Sequence, residues 1–211
     1  MPTSSLNGTH RTDPADIAIV KGQTPAADRT WLTFPDGTAR RVAVHVAHDL
    51  PHLAVESAFG LDDGLWGVLA GGGFAAANRA ATRRYVRPAR LVTDAPFDEL
   101  AEQNWPGHQV AKAATNAVVN RWQDGADTPR GVRQRMRAQA TAATVRSAEV
   151  AERIRALADR LDDETIEAAI AEVRRLFAEW GRLPVGGTLR LRWPLTAHGA
   201  RLGRVAPDGR R

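Results

Sequence analysis

The stretch GGTLRLRWP, residues 186–194, places Leu189, Leu191 and Trp193 on one side of an extended chain and Arg190 and Arg192 on the other. Alternation with a period of two marks a strand that buries one face and wets the other. It follows two long helical patterns, so its partners must come from the other end of the chain. IAIVK, residues 17–21, is a short strand candidate there. TWLTF and RRVAVHV flank the turn Pro35-Asp36-Gly37-Thr38, and an Asp-Gly step in a short connection signals a hairpin. In the second arm Val42, Val44 and Val46 alternate with Arg41, Ala43 and His45, so the valines are expected to face the core.

Helices fill the space between. Asp49 is expected to cap a helix by accepting from the free N–H near His52, with Pro51 in the first turn, where its missing donor is harmless. That helix should end at Gly60. Helical character resumes after Asp62 and Asp63, and the glycines 71–73 interrupt it. Residues 96–125 predict one short and one longer helix around Pro106-Gly107. From about Thr128 the chain reads as helical to Leu161, with Val150, Ile154, Leu157 and Leu161 in one stripe. Asp162, Asp163 and Glu164 open the next helix, whose stripe runs through Ile166, Ile170, Val173, Phe177 and Trp180. Strands at both ends with helices between predict an α+β domain. A small, mostly antiparallel sheet, the N-terminal hairpin plus the C-terminal strand, would pack against a helical bundle. The expected limits are a mobile tail at 1–14, one domain at 15–195 and a second tail at 196–211.

With 211 residues and 43% hydrophobic content the chain can bury a real core. It has no cysteine, which removes disulfides, thiolate metal sites and cysteine nucleophiles. Any metal would have to use histidine and carboxylate. No apolar run is long enough for a bilayer, and the first residues lack the order of a secretory signal, so the expected location is the cytoplasm. Of the 29 basic residues 27 are arginine, which reads in part as the coding habit of a GC-rich genome. The formal charge of +5 by itself argues solubility more than any partner. No Walker pattern accompanies the glycines at 71–73, and no G-x-S-x-G is present.

Three of the six histidines fall in HVAHDLPHLAVE, residues 45–56. His48 and His52 have the spacing of a zinc-protease motif, but Asp49 stands where that motif has Glu. A helix beginning at Asp49 would leave His48 outside it. His52 and Glu56 form a better pair, four apart on one helix face. On a helical wheel Leu50, Leu53, Ala54, Ala58 and Leu61 take one side, while Val55 and Phe59 lie almost opposite. The pair is thus expected to be enclosed. Three readings follow: a structural ion pair, a metal site, or metal-free acid–base chemistry. In an enzyme His52 and Glu56 would be the catalytic pair. A divalent metal would take His48, His52 and Glu56, with His108 or Glu102 as further candidates. The reaction would be that of a metal-assisted hydrolase or lyase.

The segment HDLPHLAVESAFGLDDGLWGVLAGG resembles a pattern in small, uncharacterised, mainly actinobacterial proteins. Those proteins pair H-D-x-x-H-x-x-V-E with a later G-[FL]-[WFY]-G-x-[LVI]-A-x-G. His48, Asp49, His52, Val55 and Glu56 match the first part, and Gly64, Leu65, Trp66, Gly67, Leu69, Ala70 and Gly72 the second. RLPVGGTLRLRWP, from Arg182, is similar to the group's closing strand. The resemblance covers about a quarter of the chain and implies kinship, with no activity attached.

PRGVRQRMRAQATAATVR carries Arg130, Arg133, Arg135, Arg137 and Arg146 and no acid. Positive charge at a helix start opposes the macrodipole, and an anionic partner would relieve it. The alternative function is therefore a nonenzymatic module binding nucleic acid or a protein through this helix. Against it, the cluster has no interleaved aromatics, and a solvated basic face is the plainer reading.

Overall fold

The computed structural model describes residues 15–42, 46–70, 106–123, 128–144 and 147–195. Strands β1 (Ala15–Val20), β2 (Arg29–Thr33) and β3 (Ala39–Val42) come first. Helices α1 (Val46–Phe59), α2 (Leu65–Ala70), α3 (Pro106–Gln123), α4 (Pro129–Thr144), α5 (Ala148–Arg160) and α6 (Asp163–Arg182) follow, and then strand β4 (Thr188–Trp193). The tails expected at 1–14 and 196–211 lie outside the described residues, as does the segment 71–105.

The α+β architecture is the one expected. The four strands form one sheet in the order β3-β2-β1-β4, and every pairing is antiparallel. Alternation sets the register. Ala15, Ile17 and Ile19 lie opposite Trp193, Leu191 and Leu189, and all six side chains are buried. Leu32, opposite Ile17, extends this inner layer to β2. A slip of one residue in β4 would put Arg190 and Arg192 inside and the three apolar residues in water. The turn before β3 uses Gly37 at φ +80, with Asp36 accepting from both the Thr38 N–H and hydroxyl.

The helices bury most of the faces that their spacing predicts, with Leu176 buried in α6 and the expected Phe177 and Trp180 only partly so. Val150, Ile154 and Leu157 of α5, and Ile166, Ile170, Val173 and Leu176 of α6, join the sheet's inner face and α1 in one core. Helix α1 packs on α6 and α3, and α4 packs on α5. Asp162 caps α6, its carboxylate accepting from Thr165 N at 2.7 Å. At the other end Lys21 donates to the carbonyls of Trp180 and Leu183, tying the end of β1 to the end of α6.

Two boundaries differ from expectation. The helix read as continuous from Thr128 to Leu161 is two helices, and Ser147 caps the second by accepting from Val150 N. The hairpin's second arm is described as Ala39–Val42, and Val46, expected to continue the strand, lies in α1. Among the described residues no helix is long and apolar enough to cross a membrane.

Candidate functional site

Because α1 starts at Val46, Asp49 is inside the helix and is not its N-cap. Its carboxylate is engaged by the neighbouring ring instead, with His48 Nδ1 and Asp49 Oδ1 at 2.7 Å. The helix therefore includes both His48 and His52, and the i,i+4 geometry that an Asp49 start would have broken is present. Their ring centroids are 5.3 Å apart. His108, from the first turn of α3, stacks on His52 with ring centroids 5.8 Å apart. His48, His52 and His108 thus form a cluster of imidazoles in which His52 touches both others. Within it 58% of the His48 side chain is accessible, while His52 is 1% exposed.

Against His52 sits Glu56, fully buried. Its Oε1 faces His52 Nδ1 at 3.1 Å and accepts from Leu65 N at 3.0 Å. Its Oε2 accepts from Trp66 N at 2.7 Å. The carboxylate thus satisfies the first two backbone donors of α2, which α2 cannot pair within itself. The local chain makes this reach possible. Gly60, at φ +65, ends α1 in a Schellman turn, with Leu61 N donating to the Glu56 carbonyl and Gly60 N to Ser57 O. The backbone of Glu56 therefore anchors the turn that returns the chain to its own side chain. Gly64 completes the arrangement, because a Cβ there would lie 2.5 Å from the Glu56 carboxyl. Trp66 locks the other end, its indole N–H donating to the Asp49 carbonyl at 2.8 Å.

The environments push these groups apart. Burial pushes the Glu56 carboxyl up, opposed by the hydrogen bonds from His52, Trp66 and Leu65. The bond to Asp49 holds His48 above the ordinary imidazole value, and partial burial works against it. Burial, followed by the charges of His52 and Lys112, pulls His108 down to about 4. His108, half-buried, thus gives up its proton more readily than an ordinary imidazole, and His48 at the rim holds its proton more tightly.

The ligands expected for a metal, His48, His52, Glu56 and His108, are brought to one place. Among the described residues, however, no three His, Asp or Glu side chains are arranged to hold an ion. Glu56 spends its oxygens on three N–H donors, and His48 turns Nδ1 to Asp49. Glu102, His45, His10 and His198 lie outside the described residues. Gly64 and Trp66 are the members of the site that pair spacing along α1 does not reveal.

The arginine helix α4 has internal work. Arg133 donates through Nε and Nη2 to the Leu161 carbonyl, and Nη2 also reaches the Asp163 carboxylate. Arg137 pairs with Asp159 at 2.6 Å. Both therefore face α5 and the start of α6, which divides the patch expected of Arg130, Arg133, Arg135 and Arg137. The chain matches no protein-family model, no curated protein and no solved structure.

Proposed function

We propose that His48, His52 and Glu56 form a metal-independent acid–base site that exchanges a proton with a small polar substrate at the His48 rim. The observation that carries this reading is the enclosed His52–Glu56 pair standing behind an exposed, aspartate-held imidazole. His48 is the group a substrate can meet, and Asp49 fixes its ring through Nδ1, leaving Nε2 for exchange. His52 backs His48, and Glu56 sets the orientation of His52. Separated proton affinities at neighbouring groups are how one site holds an acid and a base at the same pH. The reaction class is a hydrolytic or lyase step requiring proton transfer.

The test is turnover of a panel of activated esters and β-elimination substrates, with chelator present, by wild type, His48→Ala and His52→Gln. Turnover that survives the chelator and falls at least 100-fold in His48→Ala supports the site. Turnover that returns only with an added divalent ion would replace this reading by the metal-assisted one. If no substrate turns over, and imidazole NMR shows His48 and His108 titrating together near 6.5, the cluster is a structural clamp and the proposal fails.

A further inference from the structure

Among the described residues, Trp31 and Val185 are the large apolar side chains left exposed, Trp31 at 42%. Val185 lies in the turn before β4, but Trp31 stands on the outer face of the sheet. The register places it in a row that crosses all four strands. Arg41 of β3 is directly opposite Trp31, Ala18 of β1 is opposite on the other side, and Arg190 of β4 lies beyond Ala18. With strands about 4.8 Å apart, the indole has one guanidinium a strand away and another two strands away. Ala18, the residue between, projects only a methyl group and leaves a low floor beside the ring. The adjacent row adds Arg192, which pairs with Asp16 at 3.5 Å. Among the described residues no acidic side chain pairs with Arg41 or Arg190, and both are exposed.

An indole flanked by cations on an open antiparallel sheet is chemically suited to a chain of alternating π-faces and phosphates. A base stacks on the ring and over the alanine floor, while the phosphates on either side meet the arginines. We propose that this outer face binds single-stranded nucleic acid, with one base stacked on Trp31 and flanking phosphates held by Arg41 and Arg190. The binding is tolerant of sequence, because stacking and charge carry it. It is independent of the histidine site, which lies on a different element, and it uses none of the α4 arginines.

The measurement is fluorescence anisotropy of labelled 15-nucleotide oligothymidylate and oligouridylate with the full chain. Trp31→Thr keeps a β-branched residue in the strand and removes the ring. Arg41→Glu combined with Arg190→Glu reverses the charge, and Arg130→Glu combined with Arg137→Glu serves as the control. Wild type is expected to bind, with Trp31→Thr about tenfold weaker and the sheet double variant weaker still. The helix control should stay within about twofold. Two phosphate contacts predict a loss of roughly sevenfold between 50 and 200 mM salt. The proposal is overturned by no binding at 50 mM salt, by a duplex binding as well as the single strand, or by loss in the helix control with the sheet variants intact.

Discussion

Glu56 and Arg133 perform the same operation with opposite charges. Glu56 accepts from the first backbone amides of α2, a neighbouring helix, while Arg133 donates to the carbonyl at the end of α5. Each satisfies helix-end groups that have no partner in their own helix. The difference lies in solvent. Glu56 is fully enclosed, whereas Arg133 keeps a fifth of its side chain in water and pairs with the exposed Asp163. Where water cannot substitute, removing the charged partner leaves buried donors stranded, and the loss far exceeds the net worth of the bonds. Where water can reach the groups, it replaces most of what is lost.

The comparison breaks most severely at Glu56. Glu56→Ala strands the Leu65 and Trp66 amides and the His52 ring N–H, and should cost roughly 3–5 kcal/mol in urea unfolding. Gly64→Ala attacks the same clamp from the opposite side. The added methyl meets a carboxyl that cannot swing away without dropping its donors, so a loss of about 1–3 kcal/mol is expected. A Gly64→Ala variant as stable as wild type would show that the clamp has slack.

His108 sharpens the contrast through pH. Its folded value, about 4, lies below that of an exposed histidine, so the unfolded chain takes up the proton first. Its contribution is therefore present above about pH 6.5 and drains away as the pH falls toward 4. Between pH 7 and 4.5 wild type should lose roughly 2 kcal/mol more than His108→Gln. Parallel curves for the two proteins would remove burial as the governing effect at this ring.

The smallest effects belong to the arginines. Arg133→Ala, which frees one carbonyl and one exposed carboxylate, should cost about 1 kcal/mol. Arg137→Ala, which breaks an exposed pair with Asp159, should stay within about 0.5 kcal/mol. Equal losses in the two variants would mean that the bond from Arg133 to the Leu161 carbonyl contributes nothing beyond its ion pair.

These two clamps also mark where reading the sequence succeeds and stops. The sheet and the paired helices α5 and α6 were legible because local periodicity and burial coincide in them, as in Leu189-Arg190-Leu191 or Ile166 to Val173. The start of α1 was not, because Asp49 followed by Pro51 imitates a cap and first turn while the carboxylate in fact turns to His48. The break at Ser147 was hidden for a related reason. The acid after it stands at Glu149, one position short of a capping box, and the apolar spacing beyond it looks unbroken. His52 and Glu56 could be paired and expected to be buried from the wheel alone. That Glu56 serves α2 depends on the return turn at Gly60, and its partners are backbone amides, which carry no residue-type signature.

The pairing of β1 with β4 sets Ala15 directly across from Trp193. The start of the first strand and the end of the last are thus neighbours about 5 Å apart. The segment 15–193 should therefore be insertable into a surface loop of a host protein with little distortion of the host. By the same geometry its two ends can be joined and the chain reopened at the β2–β3 turn, preserving every strand pairing.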